Sequence, residues 1–361
     1  MTDSASSPSV AAAPARPETV PPAGKTTLEP EHEPAVIEVG DPDELDETAS
    51  NIDERISTYT ASLSSSVVDY PLENGRRYHA FRAGSYLCPN DEIEQDRLDF
   101  HHTMVMKAIG GKPFLSPIDE EKTQRILDIG TGTGIWAIGV GELLPNSEII
   151  GNDLSANQPS WVPPNVKFEI DDVESPWAHS HEFDFIFCRY MVGSITDWPK
   201  LMNNIYENTN PGGWVEFQDY DLLYTSDDGS LTEEHQTLQW KRLFLEACEK
   251  AGRDPRPGPK LKDWVREADF VNITHKKYKM PVGPWPKDPY YKEIGICNLI
   301  QILDGLEAFS LRLFCGVLGW TKDEVLVMLA LVRKELKAGA FHARFDLHVV
   351  YAQKPKAMDE E

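Results

Sequence analysis

Residues 125–138, RILDIGTGTGIWAI, decide the fold of this 361-residue chain. An apolar segment carrying one acid, Asp128, runs into three glycines at alternate positions, Gly130, Gly132 and Gly134, and apolar residues resume directly after them. This order is typical of a buried strand, a tight glycine turn and a helix start, the unit that opens a nucleotide-binding α/β domain. Glycine at the turn lets the backbone approach a ligand that a side chain would hold away.

The glycine spacing distinguishes between classes of nucleotide. Dinucleotide sites prefer G-x-G-x-x-G, in which a pyrophosphate rests on the helix N-terminus. Here the spacing is G-x-G-x-G, and Asp128 precedes the first glycine by two residues. A carboxylate aimed into the turn would repel a pyrophosphate, but it suits S-adenosylmethionine (SAM), which has an ammonium group, a sulfonium and no phosphate. A glycine-rich turn that binds nothing is the alternative at this point.

Further acids follow at positions that can reach the rest of a nucleotide. Residues 148–154 (EIIGNDL) predict a second strand ending at Asp153, 23 positions after Gly130. That offset is close to the ~20 residues at which an acid meets the ribose hydroxyls, and an Asp capping the next turn is the alternative. Residues 166–173 (VKFEIDDV) predict a third strand ending in paired acids. One of these acids can accept the adenine amino hydrogen, and Val173 can pack on the ring.

Later segments extend an alternating pattern. Residues 183–188 (FDFIFC) predict a fourth strand, and residues 210–220 (NPGGWVEFQDY) predict a Pro-Gly-Gly turn into a fifth. A sixth strand is expected over 270–280 and a last one over 340–353, with helices over about 91–109, 234–251, 261–267 and 290–337. Strands that alternate with helical spacers predict a parallel sheet covered on both faces.

With these signals in this order, the chain resembles the class I SAM-dependent methyltransferases over about residues 120–220. Residues 78–102 (YHAFRAGSYLCPNDEIEQDRLDFHH), 153–177 (DLSANQPSWVPPNVKFEIDDVESPW) and 189–201 (RYMVGSITDWPKL) are similar to the fungal LaeA-like methyltransferases of secondary metabolism. The resemblance implies an α/β Rossmann-like fold with a mostly parallel seven-stranded sheet. Its final two strands would form an antiparallel edge, and SAM would be the cofactor.

The resemblance also suggests contacts for the cofactor. Asp128 would face the SAM amino group, the three glycines the methionine and ribose portions, and Asp153 the ribose diol. By the family pattern Asp172, rather than Asp171, would contact adenine, followed by Val173.

The family-like N-terminal segment adds three candidates: Tyr78, Arg82 and Tyr86. The tyrosines can gain cation–π attraction near a sulfonium, with core packing as the alternative. Arg82 can reach the methionine carboxylate.

The catalytic residue is unknown from the sequence, and His101, His102 and Arg189 are the candidates. A histidine has a suitable pKa to take a proton from a hydroxyl or amine. The two histidines are adjacent on a predicted helix and point about 100° apart, so at most one easily faces the site. Arg189 follows the fourth strand, where the family lines the methyl-transfer site, and a surface arginine is the alternative.

Four segments are expected. Residues 1–60 contain 13 acids and 3 bases and no aromatic residue before Tyr59, so we predict a disordered acidic tail. Residues 61–119 would form an N-terminal helical lid, and residues 120–225 the SAM-binding core. Residues 226–361 would supply a helical acceptor lid and the last two strands. In the helix over 91–109 the expected apolar stripe contains Ile93, Arg97/Leu98, His101/His102, Val105 and Ile109.

Composition limits the partners. The net charge of −24 and pI near 4.8 argue against direct nucleic-acid binding, and the short basic cluster at 275–279 (HKKYK) is expected on a strand. Five scattered cysteines without metal-ligand spacing predict reduced thiols and no metal site. No secretory signal is visible and no apolar run approaches ~18 residues, so a cytoplasmic or nuclear protein without a membrane span is expected.

Three functions remain open. The first is an O- or N-methyltransferase acting on a small molecule of fungal secondary metabolism. The second is a LaeA-like regulator that works with a protein partner in a nuclear complex, and the third is a catalytically silent SAM-binding module. Aromatic residues of the lid could line an apolar acceptor pocket: Trp240, Phe244, Trp264, Trp285, Tyr290, Tyr291, Phe309 and Phe314.

Overall fold

The computed structural model describes residues 70–82 and 84–356, so the predicted acidic tail lies outside the described residues. A short hairpin, β1 (Leu72–Glu73) and β2 (Arg76–Arg77), precedes the main sheet. The strands of that sheet are β3 (Arg125–Ile129), β4 (Glu148–Asp153), β5 (Val166–Ile170), β6 (Phe183–Arg189), β7 (Thr209–Thr225), β8 (Val271–Pro281) and β9 (Arg344–Gln353). The helices are α1 (Glu92–Ala108), α2 (Ile135–Leu143), α3 (Trp198–Glu207), α4 (Gln236–Lys250), α5 (Leu261–Glu267), α6 (Pro289–Gly316) and α7 (Lys322–Ala338), with a 3₁₀ turn at Gly258–Lys260.

The seven strands follow the order β5-β4-β3-β6-β7-β9-β8. Neighbours from β5 to β7 pair in parallel, whereas β9 pairs antiparallel with both β7 and β8. The predicted seven-stranded, mostly parallel sheet is therefore confirmed. The last strand of the chain is inserted between β7 and β8, so β8 forms the edge and β9 is the only strand of this sheet that runs against the others. The basic cluster of 275–279 lies on β8, where Lys277 pairs with Asp346 of β9.

The central strands are apolar because they are buried on both faces. Alternate residues of β3 enter different cores: Ile126 packs with α2 residues on one face, and Leu127 packs with α3 residues on the other. In β6, Phe187 stacks on Trp136 of α2 with ring centroids 3.8 Å apart. This two-sided burial holds the carboxyl ends of β3 and β6 in one plane.

The glycine turn after β3 adopts the backbone conformation that the sequence predicts. Gly130, Gly132 and Gly134 have φ of +65°, +59° and +82°, a region that residues with a side chain rarely adopt. A Cβ on Gly130 would overlap the sulfur of Met191, and one on Gly134 would overlap the ring of Phe168. A Cβ on Gly132 would have only Leu98 nearby, at 3.9 Å. Of the three glycines in the turn, Gly132 is therefore the one beside which space is free for a ligand.

Helix α1 begins after Asp91, whose side chain accepts a hydrogen bond from the Glu94 backbone N–H at 3.1 Å. The expected apolar stripe is wrong at Ile93, which is 63% exposed, although Val105 and Ile109 are buried. The buried face instead carries an ion pair, because Arg97 contacts Glu94 at 2.6 Å.

The remaining helices cover the other end of the sheet. A large apolar core joins α1, α4, α6 and α7 to β7 and β9 through residues such as Met104, Tyr220, Phe244, Leu299 and Val332. Among the described helices, α6 is long and apolar enough to cross a membrane by length and composition, a length that the sequence expectation missed. An 18-residue window of that helix reaches a mean hydropathy of 1.4, and 78% of the window is buried inside the protein. Its apolar surface therefore packs in this core.

Candidate active site

A cavity opens at the carboxyl ends of β3, β4 and β6, beneath α1. It encloses about 1240 Å³, including its solvent-open mouth. Ligands of open α/β sheets bind outside the carboxyl ends of the strands, where this cavity lies. Ten predicted site residues line it: Tyr86, His101, His102, Asp128, Gly130, Gly132, Asp153, Asp172, Val173 and Arg189.

Asp128 lies at the floor of the cavity on β3. It is 3% exposed, and one carboxylate oxygen accepts a hydrogen bond from the Thr131 hydroxyl at 2.6 Å. Burial raises the pKa of Asp128 to about 7, against the opposing effects of the Thr131 hydrogen bond and the Arg189 charge. A buried carboxylate of this kind favours a cationic partner, since a positive charge nearby would lower its pKa.

Asp153 ends β4 and holds the glycine turn. Its two oxygens accept hydrogen bonds from the backbone N–H groups of Gly132 at 3.0 Å and Ser155 at 2.9 Å. The turn-capping alternative is therefore realised, and each oxygen retains a lone pair for a further donor. Burial raises the pKa of Asp153 to about 6. The neighbouring Asn152, which sequence reasoning missed, also lines the cavity and accepts from the Gly130 N–H at 3.4 Å.

Asp171 and Asp172 both reach the cavity after β5, together with Val173. The Asp172 carboxylate accepts from the Glu174 N–H at 3.0 Å and from the Ser175 hydroxyl at 2.9 Å. The preference for Asp172 over Asp171 as the adenine contact stays a prediction.

Three predicted cofactor residues lie outside the cavity lining. Tyr78 is fully buried beneath the Arg312 guanidinium, 4.4 Å from its ring centroid, so core packing explains it. Arg82 lies 3.5 Å from Asp172, the acid expected to contact adenine rather than the methionine portion. Gly134 starts α2, and Phe168 packs where its side chain would be. The contacts of Tyr78 and Arg82 with the cofactor stay predictions, since residues 78–86 have no periodic pattern that fixes the direction of their side chains.

His102 and Arg189 form a pair at one side of the cavity. An Arg189 Nη donates to His102 Nδ1 at 2.7 Å, so that ring nitrogen acts as an acceptor. Burial and the Arg189 charge lower the pKa of His102 to about 3, which keeps the ring neutral. The second terminal nitrogen of Arg189 is buried without a hydrogen-bond partner among the described residues. His102 therefore orients Arg189, which lines the cavity and keeps one donor nitrogen without a partner among the described residues.

His101 lies deeper, on the wall between this cavity and a second one. Its Nε2 is 2.8 Å from the Tyr220 hydroxyl, and its ring stacks on Tyr190 at a centroid distance of 4.1 Å. Burial and the Arg97 charge hold its pKa well below the ordinary value, so the ring is neutral. Tyr86, His101 and Tyr190 line both cavities.

Comparison with known proteins supports the sequence resemblance. A family profile described as a methyltransferase domain matches residues 100–275. Methyltransferase pytC of Aspergillus terreus is 47% identical over 313 residues, covering 86% of this chain and 96% of that protein. The chain belongs to this family of fungal methyltransferases.

Regulators are also among the relatives of this methyltransferase. The secondary metabolism regulator LAE1 of Cochliobolus heterostrophus is 34% identical over 291 residues, covering 79% of this chain and 95% of that protein. Among solved structures, phosphoethanolamine N-methyltransferase 2 of Haemonchus contortus, in complex with SAM, is similar with a TM-score of 0.40 and 18% identity. It matches over 76% of this chain and 55% of that one.

Proposed function

We propose that this methyltransferase moves the SAM methyl group to an oxygen or nitrogen of a small molecule of fungal secondary metabolism. The observation that carries the proposal is the convergence of Asp128, Asp153 and Asp172 on one cavity, from the ends of three successive strands. The name of pytC, a methyltransferase, supports the enzymatic reading. The regulators are less similar, at 34% identity for LAE1 against 47% for pytC, so the regulatory alternative is not favoured.

The cavity fits SAM by the chemistry of its donors and by its free space. Asp128 would pair with the ammonium group, and the unused Arg189 nitrogen beside it would receive the methionine carboxylate in place of Arg82. Asp153 would accept the ribose hydroxyls, and Asp172 and Val173 would hold adenine. The open space at Gly132 would let the backbone approach the cofactor.

When bound, SAM supplies an electrophilic methyl group on a positive sulfur. The protein must hold the acceptor atom in line with that methyl and exclude water, which is mainly a contribution of proximity and orientation. Tyr86 lies on the shared wall, where a ring face can stabilise the sulfonium by cation–π attraction. His101 would accept the acceptor's proton at Nδ1, with Nε2 donating to the Tyr220 oxygen at 2.8 Å.

Calorimetric titration of SAM tests the cofactor assignment. We expect Asp153→Ala to weaken SAM binding by about 10²-fold or more, because two hydrogen bonds to a charged group are lost and each contributes roughly 1.5–3 kcal/mol. Asp263→Ala, which changes an exposed acid on α5, is the matched control and should bind SAM like the wild type. Unchanged SAM affinity in Asp153→Ala would show that the ribose assignment is wrong.

A further inference from the structure

A second cavity lies directly behind the His101 wall and has a volume of about 580 Å³, including its solvent-open mouth. Apart from the shared residues, ring faces and aliphatic groups supply most of its surface, including Tyr224, Phe244, Phe309 and Phe345. Of the predicted lid aromatics, Phe244 and Phe309 thus reach it. The cavity also contains two cationic side chains, Arg97 and Lys241.

The two cations differ in their partners. Arg97 is neutralised by Glu94 at 2.6 Å and donates to Gln301 at 2.8 Å. Lys241 is 4% exposed, and its ammonium contacts ring faces, with the centroids of Tyr224, Trp240 and Phe244 at 4.5, 4.6 and 4.7 Å.

Lys241 has no carboxylate partner in the part of the chain that the structure describes. Lys279, similarly buried at 8% exposure, pairs with Asp227 at 3.2 Å. Burial lowers the pKa of Lys241 to about 7, so the protein stabilises its charge poorly. A buried cation without an acid is costly, because only the faces of three aromatic rings offset its loss of hydration here. Fold stability therefore does not account for this lysine.

We propose that the second cavity is the acceptor pocket and that Lys241 binds an anionic oxygen of a flat, mainly apolar acceptor. The assignment rests on the proposed methyl transfer. The reacting atom of the acceptor would meet the methyl group beside Tyr86, His101 and Tyr190, which line both cavities, and the sulfur would leave as S-adenosylhomocysteine. The apolar body of the acceptor would lie between ring faces. Its carboxylate or ionised enol would supply the negatively charged partner that Lys241 lacks.

Ring contacts connect His101 on the shared wall with the rings that surround Lys241. A series of ring contacts leads away from His101, with centroid distances of 5.6 Å to Tyr220, 5.2 Å from there to Phe345, and 5.4 Å on to Tyr224. The Lys241 ammonium lies beyond them, over the Tyr224 ring. Lys241 lines the second cavity and not the cofactor cavity, so it is assigned to the anionic group of the acceptor rather than to the methylated atom.

The test uses full-length protein saturated with S-adenosylhomocysteine and two pairs of probes of matched shape. One pair is 2-naphthoate and neutral 2-naphthamide, and the other is 4-hydroxycoumarin, an acidic enol, and coumarin. Calorimetry should show the anionic member of at least one pair binding about tenfold more tightly, as expected for a charge-assisted hydrogen bond. The pair that discriminates identifies the oxygen as a carboxylate or an enolate.

Lys241→Met should abolish this preference, leave affinity for S-adenosylhomocysteine unchanged and raise the melting temperature by roughly 2–4 °C. Lys250→Met, an exposed lysine of the same helix, should keep the preference. Equal binding of both members of each pair, no binding of any probe, or a preference that survives in Lys241→Met would overturn the inference. If the wild type failed to bind S-adenosylhomocysteine, the proposed function itself would be wrong; binding without discrimination would reject only the acceptor class.

Discussion

At the scale of single residues, Asp128 links cofactor binding to pH. Its pKa is raised to about 7 by burial, so the carboxylate that would pair with the SAM ammonium is mostly protonated at pH 6 and mostly ionised at pH 8. We expect SAM to bind about tenfold more weakly at pH 6 than at pH 8, in proportion to the ionised fraction. Asp128→Asn should bind weakly at both values, with only the small dependence that Asp153 adds. Calorimetry across this range measures both proteins.

The raised pKa of Asp128 affects the stability of the fold in the opposite direction to SAM binding as pH rises. A carboxyl with a raised pKa takes up a proton on folding between about pH 4 and pH 7, so in that window it makes the ligand-free fold less stable as pH rises. Bound SAM should remove this loss of stability near pH 7, because its ammonium charge favours the ionised form of Asp128. A SAM affinity that is flat between pH 6 and pH 8 in the wild type would exclude Asp128 as the ammonium partner.

His101 allows a second prediction at this scale. His101→Asn should lower the rate of methyl transfer by roughly 10²-fold or more if the ring accepts the acceptor's proton, and SAM affinity should stay unchanged. The assay follows labelled methyl from SAM into an extract of a strain that lacks the gene and therefore accumulates the acceptor. His275→Asn on β8 is the control, since it changes a histidine that lines neither cavity. A rate equal to that of the wild type would show that the acceptor needs no base here.

Ten of the thirteen candidate site residues predicted from the sequence line the cofactor cavity. Asp128 and Asp153 follow apolar segments that form buried strands. Burial of each strand determines where its carboxyl end lies, and therefore where the acid lies. Lys241 was missed because a lysine in a helix is normally assigned to the solvated face. Its spacing carried a signal, since Thr237, Lys241, Phe244 and Cys248 follow one helical face and all are buried.

At the scale of elements, the positions of strands with long apolar runs were predicted well. The buried face of a helix that mixes apolar and polar residues was not. Helix α5 has the predicted bounds, and the strands β3 to β6 lie at their predicted positions. In α1 the predicted face was wrong at Ile93, because a buried Glu94–Arg97 pair occupies the protein side. Polar residues that satisfy each other in the interior cannot be distinguished from solvated ones by hydrophobic period alone.

At the scale of the whole molecule, the enzyme and the regulator make different predictions for the cell. A strain carrying Asp128→Asn should lose one methylated compound, or a few related ones, and accumulate the unmethylated precursor. Comparative metabolite profiling against the gene deletion measures this, and the two strains should match if catalysis is the function. Broad loss of unrelated metabolites would instead favour the regulator, acting in the nucleus with a protein partner.

The sheet order and the cofactor end follow from the sequence, whereas the acceptor end does not. The strands alternate with helices in a recognisable order, so the topology is constrained by short, right-handed connections. The second cavity is assembled from β7, β9, α1, α4 and α6, which are distant in the chain. No local sequence pattern predicts that these elements lie side by side. Only the three-dimensional structure therefore shows the pocket and Lys241, which has no acidic partner among the described residues.

The wall of Tyr86, His101 and Tyr190 has two sides, and each side faces a different cavity. Any shift of these rings that improves the fit of one ligand also changes the surface offered to the other. The two binding events then share a coupling free energy, and that energy is reciprocal. Whatever factor the cofactor adds to the affinity for the acceptor, the acceptor must add to the affinity for the cofactor. Three side chains would thereby couple the affinities of the two ligands, whichever of them binds first.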